Sequence, residues 1–309
     1  MNPTEKYLQE NQAVQSLRKI VLDSIKPRKF YLDSVSGIFK RNLLAYIVCA
    51  KNYPIEIFRG FENLKATYNI AGSRKLTRAI VIGNGPSQGY LSTKILNEFV
   101  NTGGETICIN YWNLNENLSS HAPSWMLFSD PATFNNKHEP NKSQTLIDYL
   151  KQKPSINIVG PWHLIQQVRQ SGVENPVFSF IDCELPFWKN IHPLLPRGYI
   201  SMTLYKSLAW AVHLGYSEIG LIGMDNTYPR NLYCDENNHV LNLDIHAGID
   251  DQVFDISALY PTVASRMAGL FLLFRDLECF PDQGIVNLDQ YSLTDRFRKV
   301  KLSEFLQLQ

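Results

Sequence analysis

The apolar positions of this chain change their period near residue 78. Before it they recur as on a helix: Leu17, Ile20, Val21 and Ile25 are spaced by three, one and four until Pro27 interrupts. A second helix is expected in the stretch from Phe30 to Asn52, where Phe39, Leu43, Leu44, Tyr46 and Ile47 sit among Lys40 and Arg41 and follow Lys26, Arg28 and Lys29. After residue 78, short and uniformly apolar runs alternate with helical segments. Strands are predicted at Ala79–Gly83, Thr106–Asn110, Trp125–Ser129, Ile156–Gly160, Ile219–Gly223 and Ile285–Leu288. Helices are predicted near Tyr90–Val100, Ser143–Gln152, Trp162–Gln170, Ser201–Leu214 and Ser257–Phe280. Runs without polar alternation belong to strands covered on both faces. The expectation is therefore an α/β fold, a Rossmann-like, mostly parallel sheet flanked by helices (residues 79–309), with an N-terminal helical extension (residues 1–78).

Charge sharpens this division. Residues 1–78 hold 14 Lys and Arg against 6 Asp and Glu, a net +8, and the remainder holds 16 against 23, a net −7. The basic, apolar extension is expected either to pack on the larger unit or to rest on an anionic membrane surface through residues 26–52. The acidic larger unit argues against nucleic acid as a partner. Five scattered cysteines, with no CxxC pair, fit a reducing cytoplasm. No apolar run approaches the roughly 20 residues of a membrane span, and Asn2, Glu5 and Lys6 stand where a signal peptide would be apolar. The expected place is the cytoplasm, including the inner face of the membrane.

The first strand runs into Gly83-Asn84-Gly85-Pro86-Ser87. In α/β folds this is where the backbone approaches a phosphate and the amides of the next helix point at it. The spacing to Gly89 is GxGxxxG, and no acidic residue ends the second strand, so a dinucleotide is disfavoured. A GxxxxGK[ST] sequence is absent as well. Asn110 ends the second strand and Ser129-Asp130 the third, again at the ends where open sheets bind ligands. Neutral amides at Asn84 and Asn110 offer a donor and an acceptor to a phosphate or sugar edge. Arg197 precedes Ser201 and Thr203, which open an apolar helix, and Ser201 suits its N-cap. Asp225 follows the fifth strand. Beyond it a loop carries Tyr228, Arg230, Tyr233 and His246, groups suited to a phosphate leaving group and to taking a proton near neutral pH.

Taken in order, the GNGPS turn, Cys108-Ile109-Asn110, the Ser/Thr-led helix ending Leu214-Gly215-Tyr216, Gly223-Met224-Asp225 with trailing tyrosines and a histidine, and the late Val286–Leu293 segment resemble the bacterial lipooligosaccharide sialyltransferases of glycosyltransferase family 42. The late segment also resembles the related motility-accessory and pterin-pyrophosphokinase-like proteins. The resemblance covers roughly residues 79–297 and implies a GT-A-like variant of the Rossmann sheet. It further implies a CMP-linked acidic nine-carbon sugar as donor, inversion at the anomeric carbon, and no obligatory metal; the function expected here is transfer of such a sugar or of Kdo, with no cofactor. By position, Asn84 and Asn110 match residues that hold the donor's phosphate and nucleoside, Ser201 or Thr203 a helix-start hydroxyl, Tyr228 and Tyr233 the phosphate-binding tyrosines, and His246 the catalytic base.

The donor set expected is thus Gly83, Asn84, Gly85, Ser87, Asn110, Ser129, Asp130, Arg197, Ser201, Thr203 and Asp225, with His246, Tyr228 and Tyr233 catalytic. The partners expected are a CMP-sugar and a bacterial surface glycan, free or lipid-linked, and the sequence allows a homo-oligomer. No DxD is present, Asp182-Cys183-Glu184 being the nearest acidic pair, and no histidines stand in zinc-site spacing. Two alternatives stay open: an ATP- and magnesium-dependent pyrophosphokinase of the related branch, and a nucleotide-binding protein without catalysis.

Overall fold

The structure, a computed structural model, describes residues 35–131, 133–134, 140–185, 188–199, 202–246, 249–257 and 262–307. Helix α1 (Val35–Asn69) leads into β1 (Arg78–Ile82), α2 (Thr93–Asn101), β2 (Glu105–Ile109), β3 (Trp125–Leu127), α3 (Pro140–Gln152), β4 (Asn157–Gly160), α4 (Trp162–Gln170) and β5 (Val177–Ser179). Then follow α5 (Thr203–Leu214), β6 (Glu218–Ile222), β7 (Leu232–Cys234), β8 (Val240–His246), β9 (Ile249–Asp255), α6 (Val263–Asp276), β10 (Ile285–Asn287), β11 (Arg298–Lys299) and α7 (Leu302–Gln307).

Eight strands form one sheet in the order β11-β10-β6-β1-β2-β3-β4-β5, and every pairing in it is parallel. The chain builds outward from β1 to β5, then returns to lay β6 against the other side of β1. That reversal is the topological switch point of an open α/β sheet, the place where its loops part to leave a crevice. All six predicted strands are present.

Side chains alternate across the sheet as the pleat requires. Ile80, Ile82, Cys108 and Met126 join one core with Leu96 and Phe99 of α2, Leu146 and Leu150 of α3, and Phe305 of α7. Ala79, Val81, Ile107 and Leu127 face the opposite core, built with Leu204, Tyr205, Leu208 and Leu214 of α5. Both faces are covered, which is why the strands read as unbroken apolar runs. Helix α5 stops at Gly215, whose φ of +78° a side chain would resist.

Three expectations change. The helix predicted to fade at Asn52 runs on through Pro54 to Asn69, because its inner face stays anchored from Cys49 to Thr67. Gly60 meets Trp162 of α4, the Thr67 hydroxyl donates to the Ser179 carbonyl at 2.7 Å, and Glu56 accepts the Asp182 amide at 2.5 Å. The earlier helix expected around Leu17–Ile25 lies outside the described residues. The loop expected after Asp225 is a second, three-stranded antiparallel sheet in the order β7-β8-β9. The last predicted helix is shorter, with α6 beginning at Val263 rather than near Ser257.

Candidate functional site

A cleft of about 210 Å³ opens at the switch point. Asn84, Gly85 and Pro86 after β1, Ile109 at the end of β2 and Asn110 after it, Thr203 at the start of α5, Gly223 to Thr227 after β6, Asn231, and Ile245 of β8 line it. The second sheet therefore reaches the mouth of the cleft through β8. Four asparagines stand in the lining, and none of its described residues is Lys, Arg or His.

The two glycines of the turn are explained by strand packing. Gly83 donates to the Ile222 carbonyl at 2.8 Å and Gly85 to that of Gly223 at 3.0 Å, so the β1–β6 ladder continues past both strand ends. A Cβ on Gly83 would strike the Gly223 carbonyl, and one on Gly85 the Asp225 carboxylate. Gly223, at φ +74°, would strike Gly83 in return. The backbones touch here as only glycines permit.

Past the turn the chain does not enter an α-helix directly. A short 3₁₀ turn, Pro86–Tyr90, comes first, and α2 begins only at Thr93, with Ser92 as its N-cap. The amide expected to point at an anion is used internally: Ser87 donates its N–H to Asp225 Oδ1 at 2.9 Å and its hydroxyl to Oδ2 at 3.0 Å, while Gly223 donates to Ser87 Oγ at 2.8 Å. Burial, with Asp289 close by, pushes the Asp225 carboxyl up to about 6 despite these hydrogen bonds. Ser87 is buried and does not line the cleft.

Asn110 sits at φ +45° and Asn226 at φ +51°, left-handed positions that asparagine tolerates better than most residues. Asn110 Nδ2 donates to Thr203 Oγ1 at 3.4 Å, and Thr203 shares a 2.6 Å hydrogen bond with Ser129 Oγ. The ends of β2, β3 and α5 are thereby tied together. Asn110 Oδ1 is enclosed and makes no hydrogen bond to any described residue.

Other expected residues lie elsewhere. Arg197 is buried away from the cleft lining, paired with Asp182 and, at 2.8 Å, with Glu184, and Lys206 reaches Asp182 at 2.7 Å. Burial alone would raise the Asp182 carboxyl, but Arg197 and Lys206 hold it well below the usual carboxylate range. The acidic Asp182–Glu184 stretch thus seats Arg197, which is spent on an internal ion-pair cluster. Asp130 is exposed and Tyr233 half-exposed on β7, neither among the lining residues. Met202 occupies the N-cap position of α5, and Ser201, expected there, lies outside the described residues. The backbones of Tyr228, opening a 3₁₀ turn, and His246, ending β8, are placed, but their side chains lie outside the description.

No family model matches the chain, and no curated protein does. The chain is similar in structure to the MAf glycosyltransferase from Magnetospirillum magneticum AMB-1. The identity is 14% and the TM-score 0.42; the match covers 77% of this chain and 37% of that one, so this chain spans little more than a third of that protein's length.

Asn226, Thr227 and Asn231 are polar residues of the lining that were not expected there. Asn226 donates to Thr294 Oγ1 at 2.8 Å, Ser292 Oγ to the Met224 carbonyl at 2.7 Å, and the Leu293 amide to the Asp225 carbonyl at 2.9 Å. The Val286–Leu293 segment thus braces the loop after β6 rather than touching the cleft. The signal for Asn226 was its place after Gly223-Met224-Asp225, a polar residue just beyond an apolar strand. Among the described residues no three His, Cys, Asp or Glu side chains converge as a metal site would require.

Proposed function

We propose that the chain is an inverting, metal-independent glycosyltransferase that moves a sialic-acid-like sugar or Kdo from a CMP donor to a bacterial surface glycan. The observation that carries this reading is the Asn110 carboxamide, whose amide end is held by Thr203 while its oxygen is enclosed and lacks a donor. A buried acceptor left unmet costs about 1–3 kcal/mol. A ribose or sugar hydroxyl, or the exocyclic amine of a cytosine, would satisfy it. The rest of the lining suits the same ligand. Neutral amides and a hydroxyl can hold the single negative charge of a phosphate diester, whereas a triphosphate would call for cations that the described lining lacks.

In this reading His246 takes the proton of the acceptor hydroxyl as it attacks the anomeric carbon, and Tyr228 donates to the departing CMP phosphate, the matching role expected of Tyr233 being set aside because it stands outside the cleft lining. General-base help of this kind contributes roughly 10²- to 10⁴-fold. A leaving group with one phosphate develops less charge than a diphosphate and depends less on a divalent cation.

A second reading, the ATP- and magnesium-dependent pyrophosphokinase, has one observation in its favour: the carboxyls of Asp225 and Asp289 are neighbours beside the turn. Calorimetry with CMP, and with ATP plus magnesium, separates the two. The glycosyltransferase reading expects CMP to bind, Asn110→Ala to weaken it about tenfold or more, and turnover with CMP-sialic acid or CMP-Kdo. Magnesium-dependent binding of ATP with none of CMP would overturn it.

A further inference from the structure

Helix α1 has a second face that none of the described residues covers. Its inner face, with Cys49, Glu56, Gly60 and Thr67, is buried against β5 and α4. The outer face carries Leu43, Ile47, Pro54, Phe58, Phe61 and Tyr68, spaced by three, four or seven residues, so that they form one stripe along about 38 Å of helix. All are exposed, Phe58 at 86% and Tyr68 at 68%. Around Phe58 and Phe61 the surface is a shallow apolar hollow shared with Tyr53, Pro54 and Ile57. A run of large apolar side chains this long on one surface marks a contact with something else.

Charge identifies the occupant. Lys51 and Lys65 stand exposed on or beside the stripe against a single exposed acid, Glu62, while Arg59 lies on the flank toward α4, its guanidinium 4.9 Å from the Trp162 ring. The first 78 residues carry a net +8 and the rest a net −7. Two copies meeting through this face would oppose like charges. An anionic lipid surface would meet basic residues alongside an apolar stripe, and the acidic remainder would point away from it. No described helix is long and apolar enough to cross a membrane, so the contact is an interfacial one.

We propose that α1 lies in the plane of an anionic lipid surface, its Leu43–Tyr68 stripe inserted at the headgroup boundary. The contact expected from the sequence at residues 26–52 thus moves along the chain to the outer face of α1. Tyrosine and basic side chains suit the headgroup level, while Phe58 and Phe61 supply the apolar insertion.

Co-sedimentation of the full chain with vesicles tests this, using phosphatidylcholine alone and phosphatidylcholine mixed with phosphatidylglycerol. The wild type should partition onto the anionic vesicles, be released by salt, and bind the neutral ones weakly. The double variant Phe58→Ser/Phe61→Ser, at exposed positions and with its fold checked by circular dichroism, should lose about tenfold or more of that partitioning. The proposal is overturned if the wild type stays in solution with anionic vesicles, or if the double variant sediments equally well. It is likewise overturned if light scattering shows a wild-type dimer that the double variant dissociates, which would assign the face to a second copy.

Discussion

The carboxylate of Asp225 accepts two hydrogen bonds from one residue, Ser87, whose amide reaches Oδ1 at 2.9 Å and whose hydroxyl reaches Oδ2 at 3.0 Å. This pair joins the turn after β1 to the loop after β6, and the Gly223 amide closes it through Ser87 Oγ. The two walls of the cleft are held at a fixed separation by three hydrogen bonds among buried groups. Removing the hydroxyl leaves the Gly223 amide without its acceptor, so Ser87→Ala should cost about 1–3 kcal/mol. Urea denaturation measures it, and an unchanged midpoint would show that the pair braces nothing.

Gly223 and Gly83 face each other so closely that neither admits a side chain. Gly223→Ala adds a clash to a φ of +74°, and a loss of about 2–5 kcal/mol is expected from strain and overpacking together. Gly89, in the same motif, has open space around it. Gly89→Ala should stay within about 0.5 kcal/mol. Thermal melts of the two variants side by side decide whether the motif's glycines are required one by one.

Arg197 separates a structural role from a ligand-binding one. Its guanidinium pairs with Asp182 and Glu184 in the interior, and Arg197→Met would remove that buried cation from both carboxylates and leave Lys206 to meet Asp182. A destabilisation of about 3–5 kcal/mol is expected, with the affinity of the folded fraction for CMP unchanged. A selective loss of CMP affinity at wild-type stability would return Arg197 to the donor site.

Glu56 introduces a pH dependence. Burial, together with Asp182 nearby, raises its carboxyl from 4.5 to about 7 against the hydrogen bond from the Asp182 amide. Because the folded state favours the protonated form, the stabilisation is full below pH 4.5 and fades as pH rises through about 7. Glu56→Gln stays neutral throughout. Its stability should therefore fall less than that of the wild type between pH 5 and pH 8, by roughly 2–3 kcal/mol, as denaturation at the two pH values would show.

Much of the sheet was legible because a strand covered on both faces leaves an unbroken apolar run, as in Ala79-Ile80-Val81-Ile82. The turn residues and Asn110 were legible for the same reason, since they mark where such runs stop. Val177–Ser179 escaped because three residues carry no period, and it is held by pairing with β4 rather than by its own pattern. Strand β8 escaped differently. Leu241, Leu243 and Ile245 alternate with Asn242, Asp244 and His246, a legible two-faced strand in a segment whose polar residues suggested a loop. The fate of Arg197 was hidden from any local pattern. Its partner Asp182 lies 15 residues back, and the Lys206 that shares that carboxylate belongs to the next helix.

Strand β5 ends the large sheet, and α1 lies against it, with Thr67 taking the Ser179 carbonyl. An outermost strand with free backbone groups is a template on which another chain can add itself. The long helix is thus a guard as well as an appendage. A chain begun at Thr77 would still hold every strand of the sheet, yet it would meet its neighbours through a naked margin, and solubility rather than loss of fold would be the first thing to fail.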